Sequence, residues 1–340
     1  MQITTIREDD VIWCYRTFLG RDPESPTAVQ SHLSIVNDFR ALVLRFIRSP
    51  EFRRKVSPPD LLPLSRSEMN IEITASATDL HLILNRIREA WTQMGQVRPH
   101  HSVLTREEYR PEAVDAESIE RFYASGVEAA STVTPILKRY GFANLESKIC
   151  VEYGCGLGRV TLALARIFRK VHGYDISSNH LALAERRASD SGVHNIDFHL
   201  CSADFDVDSL ENCDFFYSFI VFQHNPPPII RELIAAALRS LRGGGIAIFQ
   251  VPVYLQGYSF KVREYLARRR QSGMEMHCIP QEVVFSLITE CGCRTLEVRE
   301  SAWDRGISNT FVVKRLGGLP RLRRQLSGLI RPVRPGLHGV

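Results

Sequence analysis

Apolar positions along the chain change rhythm twice. Near the N-terminus they recur at helical spacing: Val11, Ile12, Tyr15 and Phe18, then Phe39, Leu42, Val43, Phe46 and Ile47. Gly20 and Asp22-Pro23 mark a turn between the two stripes, and Ser49-Pro50 ends the second. A Pro-, Ser- and Thr-rich stretch follows. A further helical stripe runs through Leu80, Ile83, Leu84, Ile87, Trp91 and Met94, and it ends at Pro99, His100 and His101. Ile119, Phe122, Tyr123, Val127, Ile136 and Leu137 predict more helix, broken near Pro135. From Lys148 onward short apolar runs alternate with amphipathic ones. Strands are expected at ICVEYG, VHGYDI, IDFHLC, FFYSFIVF and IAIFQVPV. Helices are expected over residues 159–168, 180–189 and 229–241, the last stopped by Gly243-Gly244-Gly245. Later helices are expected over 262–270 and 280–289. TLEVRES and NTFVVKR then read as a closing antiparallel hairpin. Such alternation predicts right-handed βαβ units and a mostly parallel sheet covered on both faces.

Three glycines, Gly154, Gly156 and Gly158, fall directly after the first strand, and Asp175 closes the second strand 17 residues after Gly158. Glycines there let a ligand approach the backbone at the carboxyl ends of the strands. A following helix start offers free N–H groups. An acid at the end of strand two can accept both hydroxyls of a ribose. A nicotinamide dinucleotide asks for G-x-G-x-x-G, whereas this loop reads G-x-G-x-G behind an acid, Glu152. A carboxylate would repel a pyrophosphate but attract an ammonium. That combination points to S-adenosylmethionine.

In order, VEYGCGLGRVT, GYDIS, CSADF, CDFFYSFIVFQH and LRGGGIAIFQVP resemble the class I S-adenosylmethionine-dependent methyltransferases. The resemblance implies an α/β, Rossmann-like, doubly wound sheet of seven strands with the last antiparallel, here carrying an N-terminal all-α module. It places Glu152, Gly154, Cys155, Gly156 and Gly158 at the methionine end of the cofactor, Asp175 on the ribose and Ile176 against the adenine. Ser202, Ala203, Asp204 and Phe205 fall where adenine is recognised, with Asp204 the expected acid. YRTFLGRDPES and FIRSPEFRRKV resemble a helical module of unassigned function found beside glycan- and cell-surface-related domains. The expected organisation is a helical module over 1–56, a linker over 57–79, a lid or substrate-face region over 80–116, the methyltransferase domain over 117–316 and a basic tail over 317–340.

Methyl transfer needs alignment, exclusion of water and, for a hydroxyl nucleophile, a base. His224, after strand four, is the first candidate base, and His277 the second. Gln223, Asn225, Tyr123 and Tyr254 are candidate substrate residues, with Trp91, His100, His101 and the Ser102-Val103-Leu104 segment as candidate lid. The expected acceptor is a sugar of a surface polysaccharide or lipid-linked glycan, modified on oxygen. The alternatives are a quinone- or lipid-like small metabolite and a cofactor-binding scaffold without turnover. A large polar, aromatic-lined pocket would favour the glycan, and a narrow apolar one the metabolite.

Composition narrows the rest. With 340 residues, 44% apolar and 24% charged, the chain is an ordinary globular one. The net charge of +5 belongs to the tail, because seven Lys/Arg and no acid lie from Lys314 onward. A nearly neutral body argues against nucleic acid as a partner. The tail would gain about 1 kcal/mol per charge near an anionic leaflet, so weak contact with the inner face of a membrane is an expectation. The N-terminal module is expected to dock a protein partner. No secretory pattern opens the sequence, which favours a cytoplasmic site. The eight cysteines show one close pair, Cys291 and Cys293, and no second cluster at zinc spacing, so no metal is expected.

Overall fold

The structure, a computed structural model, describes residues 6–49, 51–52, 68–201, 210–268, 274–303 and 306–317. The chain divides into two units, one holding the N-terminal helices and the other beginning at Met69 and holding the sheet.

In the first unit α1 (Glu8–Leu19), α2 (Pro26–Leu33) and α3 (Phe39–Ile47) bury Val11, Cys14, Tyr15, Leu19, Val29, Leu42 and Phe46 against one another. The sequence reading saw only a turn where α2 lies. That helix starts where the Ser25 hydroxyl accepts from the Ala28 amide and Pro26 takes the first helical position. Arg21 of the GRDPES stretch donates to both carboxylate oxygens of Glu51 in SPEF, at 2.8 and 2.7 Å, and its guanidinium lies over the Tyr15 ring. The two motifs of this module therefore meet as a half-buried fork that packs helices together.

In the second unit seven strands form one sheet: β1 (Ile149–Tyr153), β2 (Lys170–Asp175), β3 (Ile196–Leu200), β4 (Cys213–Ser218), β5 (Leu241–Leu255), β6 (Cys293–Trp303) and β7 (Gly306–Arg315). Their order is β3-β2-β1-β4-β5-β7-β6. The pairs among β1 to β5 are parallel, and β7 runs antiparallel to β5. Period-two alternation splits the core between two faces. Val151, Phe216, Ala247, Phe249 and Phe311 join one apolar cluster, while Cys150, Phe215, Tyr217, Ile248 and Val312 join the other. This is the expected doubly wound architecture with an antiparallel last strand.

Helices α4 (Ala77–Val97), α5 (Pro99–Val103), α6 (Ala116–Ser131), α7 (Val133–Arg139), α8 (Thr161–Leu164), α9 (Ser178–Asp190), α10 (Pro227–Ser240), α11 (Val262–Ala267) and α12 (Gln281–Glu290) surround the sheet. Residues 70–71, read as linker, pair in parallel with Ser259–Phe260. The helical break after α6 comes at Thr132, before Pro135.

Three expected elements differ. The helix expected over 159–168 is one α turn, α8, followed by tight turns. Asn195 ends it by donating to the Ala165, Phe168 and Arg169 carbonyls. The strand expected through Phe222 stops at Ser218. Ile220 takes a left-handed φ of 59°, and its amide donates to the Gln250 side chain. The glycine run 243–245 lies inside β5, and α10 ends before it at Ser240.

Candidate active site

The strand order reverses between β1 and β4, which opens a crevice at their carboxyl ends. A cavity of about 400 Å³ lies there. Its floor is the loop after β1. Gly154 has φ 76°, and a Cβ there would stand 2.4 Å from Val221 Cγ2, so only glycine suits both the backbone and the space. The amides of Gly154 and Cys155 donate to the Tyr174 carbonyl at 2.7 and 3.0 Å. The Gly156 amide donates to Asp175 Oδ2 at 2.8 Å, and the Ser177 amide to Oδ1 at 2.9 Å. Asp175 thus ties the end of β2 to the glycine loop. Each carboxylate oxygen has a second lone pair beyond the amide it holds.

Glu152 lies on the same floor with 5% exposure. Its Oε2 accepts from the Thr161 hydroxyl at 2.6 Å. Burial raises its pKa from 4.5 to about 7, against the opposing effects of Thr161 and Arg159. Ile176 and Cys155 also line the cavity. Burial pushes the Cys155 thiol well above its ordinary range, so it is a packing group. Gly158 does not line the cavity. A Cβ there would face Ala184 and Phe198 at 3.3 and 3.5 Å, so this glycine serves packing behind the loop.

Gln223, His224 and Asn225 all line the cavity on the 3₁₀ turn and following residue after β4. His224 Nδ1 lies 3.0 Å from the Glu275 carbonyl. A carbonyl only accepts, so Nδ1 carries the proton and Nε2 keeps its lone pair. Burial holds the His224 pKa below its usual 6.5. At neutral pH the side chain is therefore an unprotonated imidazole with a defined tautomer.

His277, Tyr123 and Tyr254 are not among the cavity-lining residues. His277 Nδ1 meets the Tyr258 hydroxyl at 2.7 Å and Nε2 meets Glu275 at 3.0 Å, while its amide donates to the Gln223 carbonyl. Both ring nitrogens are engaged, which suits it to holding residues 223–224 from behind and not to taking a proton. Tyr123 donates to the Leu157 carbonyl and lies under the Arg187 guanidinium. Ser202, Ala203, Asp204 and Phe205 lie outside the described residues. Of the lid candidates, Trp91, Ser102, Val103 and Leu104 line the cavity, and His100 instead packs edge-on against Phe122.

Sequence reasoning missed Arg159, His180, Met274 and Met276, all of which line the cavity. His180 is 1% exposed. The Ser102 hydroxyl donates to the Pro99 carbonyl at 2.7 Å, so in the 2.8 Å contact with His180 Nε2 it is the acceptor. His180 thereby clamps α5 to α9. Its place in the first turn after Asp175 was the available signal, since that turn faces the crevice in any open α/β sheet. Arg159 donates to the Ser125 hydroxyl at 3.1 Å, and its buried Nε has no hydrogen-bond partner among the described residues.

The sheet order and the glycine loop closed by Asp175 define a doubly wound, Rossmann-like domain with a ligand crevice at the strand ends. The two buried acids and the Ile176 surface fit S-adenosylmethionine. Glu152 suits an ammonium, Asp175 a ribose diol, and Ile176 an adenine face. The chain is similar to the following known proteins. Residues 150–245 match the family described as a methyltransferase domain. Over 109 residues the chain is 28% identical to a ubiquinone biosynthesis O-methyltransferase of Hydrogenovibrio crunogenus, covering 32% of this chain. The match spans 44% of the length of that relative. Similar solved structures include magnesium protoporphyrin IX methyltransferase from Synechocystis PCC 6803 with bound SAH. That likeness has a TM-score of 0.48 and 17% identity, and covers 68% of this chain and 99% of that one. An S-adenosylmethionine-dependent methyltransferase from Methanosarcina mazei is similar at TM-score 0.40 and 21% identity, covering 54% and 98%. Residues 150–245 thus form a methyltransferase domain within the longer chain.

Proposed function

We propose that this protein transfers a methyl group from S-adenosylmethionine to a hydroxyl of a small, largely apolar acceptor of the quinone- or lipid-like kind. The observation that carries this reading is the apolar part of the cavity wall. Beside His224 it is built from Ile87, Trp91, Leu104, Phe219, Met274 and Met276. Such a wall gains by burying an apolar ring or chain, about 25 cal/mol per Å² removed from water, and offers few partners for a sugar's hydroxyls. The name of the Hydrogenovibrio relative, a ubiquinone biosynthesis O-methyltransferase, supports the same acceptor class. The glycan acceptor, suggested by the N-terminal module and the basic tail, would draw instead on the polar residues of the same lining, among them Arg159, Gln223 and Asn225.

S-adenosylmethionine supplies an electrophilic methyl group on a sulfonium. The chain's part is to bind, orient and dehydrate. Glu152 offers its carboxylate to the ammonium and Asp175 its free lone pairs to the ribose hydroxyls. Ile176 would offer an apolar face to the adenine. His224 Nε2 takes the acceptor's hydroxyl proton, and the Glu275 carbonyl steadies the imidazolium that results. Trp91, 5.2 Å from the His224 ring, screens that proton from water.

The test has two steps. Calorimetry with S-adenosylmethionine and its demethylated product should show binding to the wild-type chain and weaker binding to Asp175→Asn. Release of demethylated product is then measured across apolar phenols and quinols on one side and sugars and sugar nucleotides on the other. Turnover confined to the sugars would overturn the acceptor class. Absence of cofactor binding by folded protein would overturn the whole reading.

A further inference from the structure

We propose that His172, Asp197 and His199 form a binding site for a divalent transition-metal ion of the zinc type, outside the methyl-transfer crevice. None of the three lines the cavity. They come together through cross-strand register. His172 pairs with Asp197 and Tyr174 with His199 on β2 and β3, so the three side chains share one face at the β3 edge of the sheet. His172 Nδ1 lies 3.0 Å from His199 Nε2 and 3.7 Å from Asp197 Oδ2, and all three donor atoms fall within 4.8 Å of one another. Nitrogen and oxygen ligands at about 2.0–2.1 Å from a tetrahedral zinc stand roughly 3.4 Å apart. The two distances from His172 bracket what an ion requires, and side-chain rotation within the 4.8 Å bound of the set would bring the third pair to it.

The surroundings hold the ligands in place. Lys170 Nζ donates to Asp197 Oδ1 at 2.6 Å, which leaves Oδ2 turned to the histidines. The Tyr174 ring stacks on His199 at 4.6 Å, and its hydroxyl accepts from the Glu211 amide. Such outer contacts orient metal ligands. Asp197 is 47% exposed at its side chain and His172 12%, so an ion has a way in and water can complete the shell. Two imidazoles and one carboxylate are too nitrogen-rich for magnesium or calcium. A bound ion would cross-link the edge strand to β2, whose last residue is Asp175.

The experiment uses the full chain, stripped with chelator and kept reduced. Cobalt(II) is titrated by absorption and zinc(II) by calorimetry, on wild type and on His172→Ala and His199→Ala. One saturable equivalent is expected, with visible d–d bands and no thiolate charge-transfer band. Each variant should lose binding while retaining S-adenosylmethionine affinity. Wild-type Tm should rise on the order of 5 °C at zinc about 100-fold above Kd. X-ray absorption on zinc-loaded wild type should read nitrogen and oxygen only, which keeps the test decisive if a variant does not fold. Absence of stoichiometric binding, sulfur in the shell, or binding unchanged in both variants would overturn the proposal. Sulfur in the shell would make the cysteines the ligands.

Discussion

Replacing Glu152 by Gln tests the buried acid at the centre of the crevice. In the ligand-free protein burial holds this carboxyl at a pKa of about 7, against 4.5 in an exposed setting. That difference corresponds to roughly 3 kcal/mol in favour of the protonated form. The sign follows by linkage. Below pH 4.5 the group is protonated folded and unfolded alike, and it contributes no pH dependence. Between 4.5 and 7 the unfolded chain releases its proton while the folded chain keeps it, so stability falls as pH rises. Above pH 7 the full loss, up to roughly 3 kcal/mol, is present. Glu152→Gln keeps an acceptor for the Thr161 hydroxyl but cannot ionise. The variant should therefore match wild type near pH 5 and be more stable at pH 8, in urea titrations across that range. It should also bind S-adenosylmethionine at least about tenfold more weakly at pH 8, having lost the carboxylate offered to the ammonium. A second signature needs no variant. At pH 6 wild-type Glu152 is mostly protonated, so engaging an ammonium must expel a proton. The apparent binding enthalpy should then depend on the buffer's ionisation enthalpy at pH 6 and not at pH 8.5. A stability difference independent of pH, or no proton release at pH 6, would refute the reasoning.

Other predictions follow from the same geometry. His224→Ala should lower kcat by about 10²–10⁴ while leaving cofactor affinity unchanged, measured by product release and calorimetry. Because burial holds His224 below 6.5, the acid limb of kcat/KM should fall below pH 6.5, and a limb above pH 7 would exclude this group as the base. Gly126 on α6 faces the Arg159 carbonyl, where a Cβ would stand only 1.9 Å away. Gly126→Ala should cost about 3 kcal/mol through overpacking, read by chemical denaturation. An open helix site would instead gain about 1 kcal/mol from the same change, so the sign decides.

Much of the fold was legible because its signals are local. Alternating runs marked βαβ units, short continuous apolar runs marked strands buried on both faces, and Gly154 with Asp175 marked the crevice. Local signals misjudged the ends of elements. The helix over 159–168 failed because Asn195, nearly thirty residues on, takes its carbonyls. The strand through Phe222 failed because Gln250 holds Ile220 in a left-handed turn.

The sequence by itself determined the class of sheet, the glycine loop, the acid on strand two and the place of His224 after strand four. Each depends on residues within a turn or two of one another. Tertiary structure decided which of two candidate histidines faces the cavity, since the Glu275 carbonyl orients His224 across 51 residues and Tyr258 with Glu275 occupies His277. It decided that His180 and Ser102, 78 residues apart, clamp α5. It also gathered His172, Asp197 and His199, which no spacing rule connects, into one cluster. The physical reason is the same in each case. Side-chain periodicity tells which face of an element is buried, but only register and packing tell what that face meets.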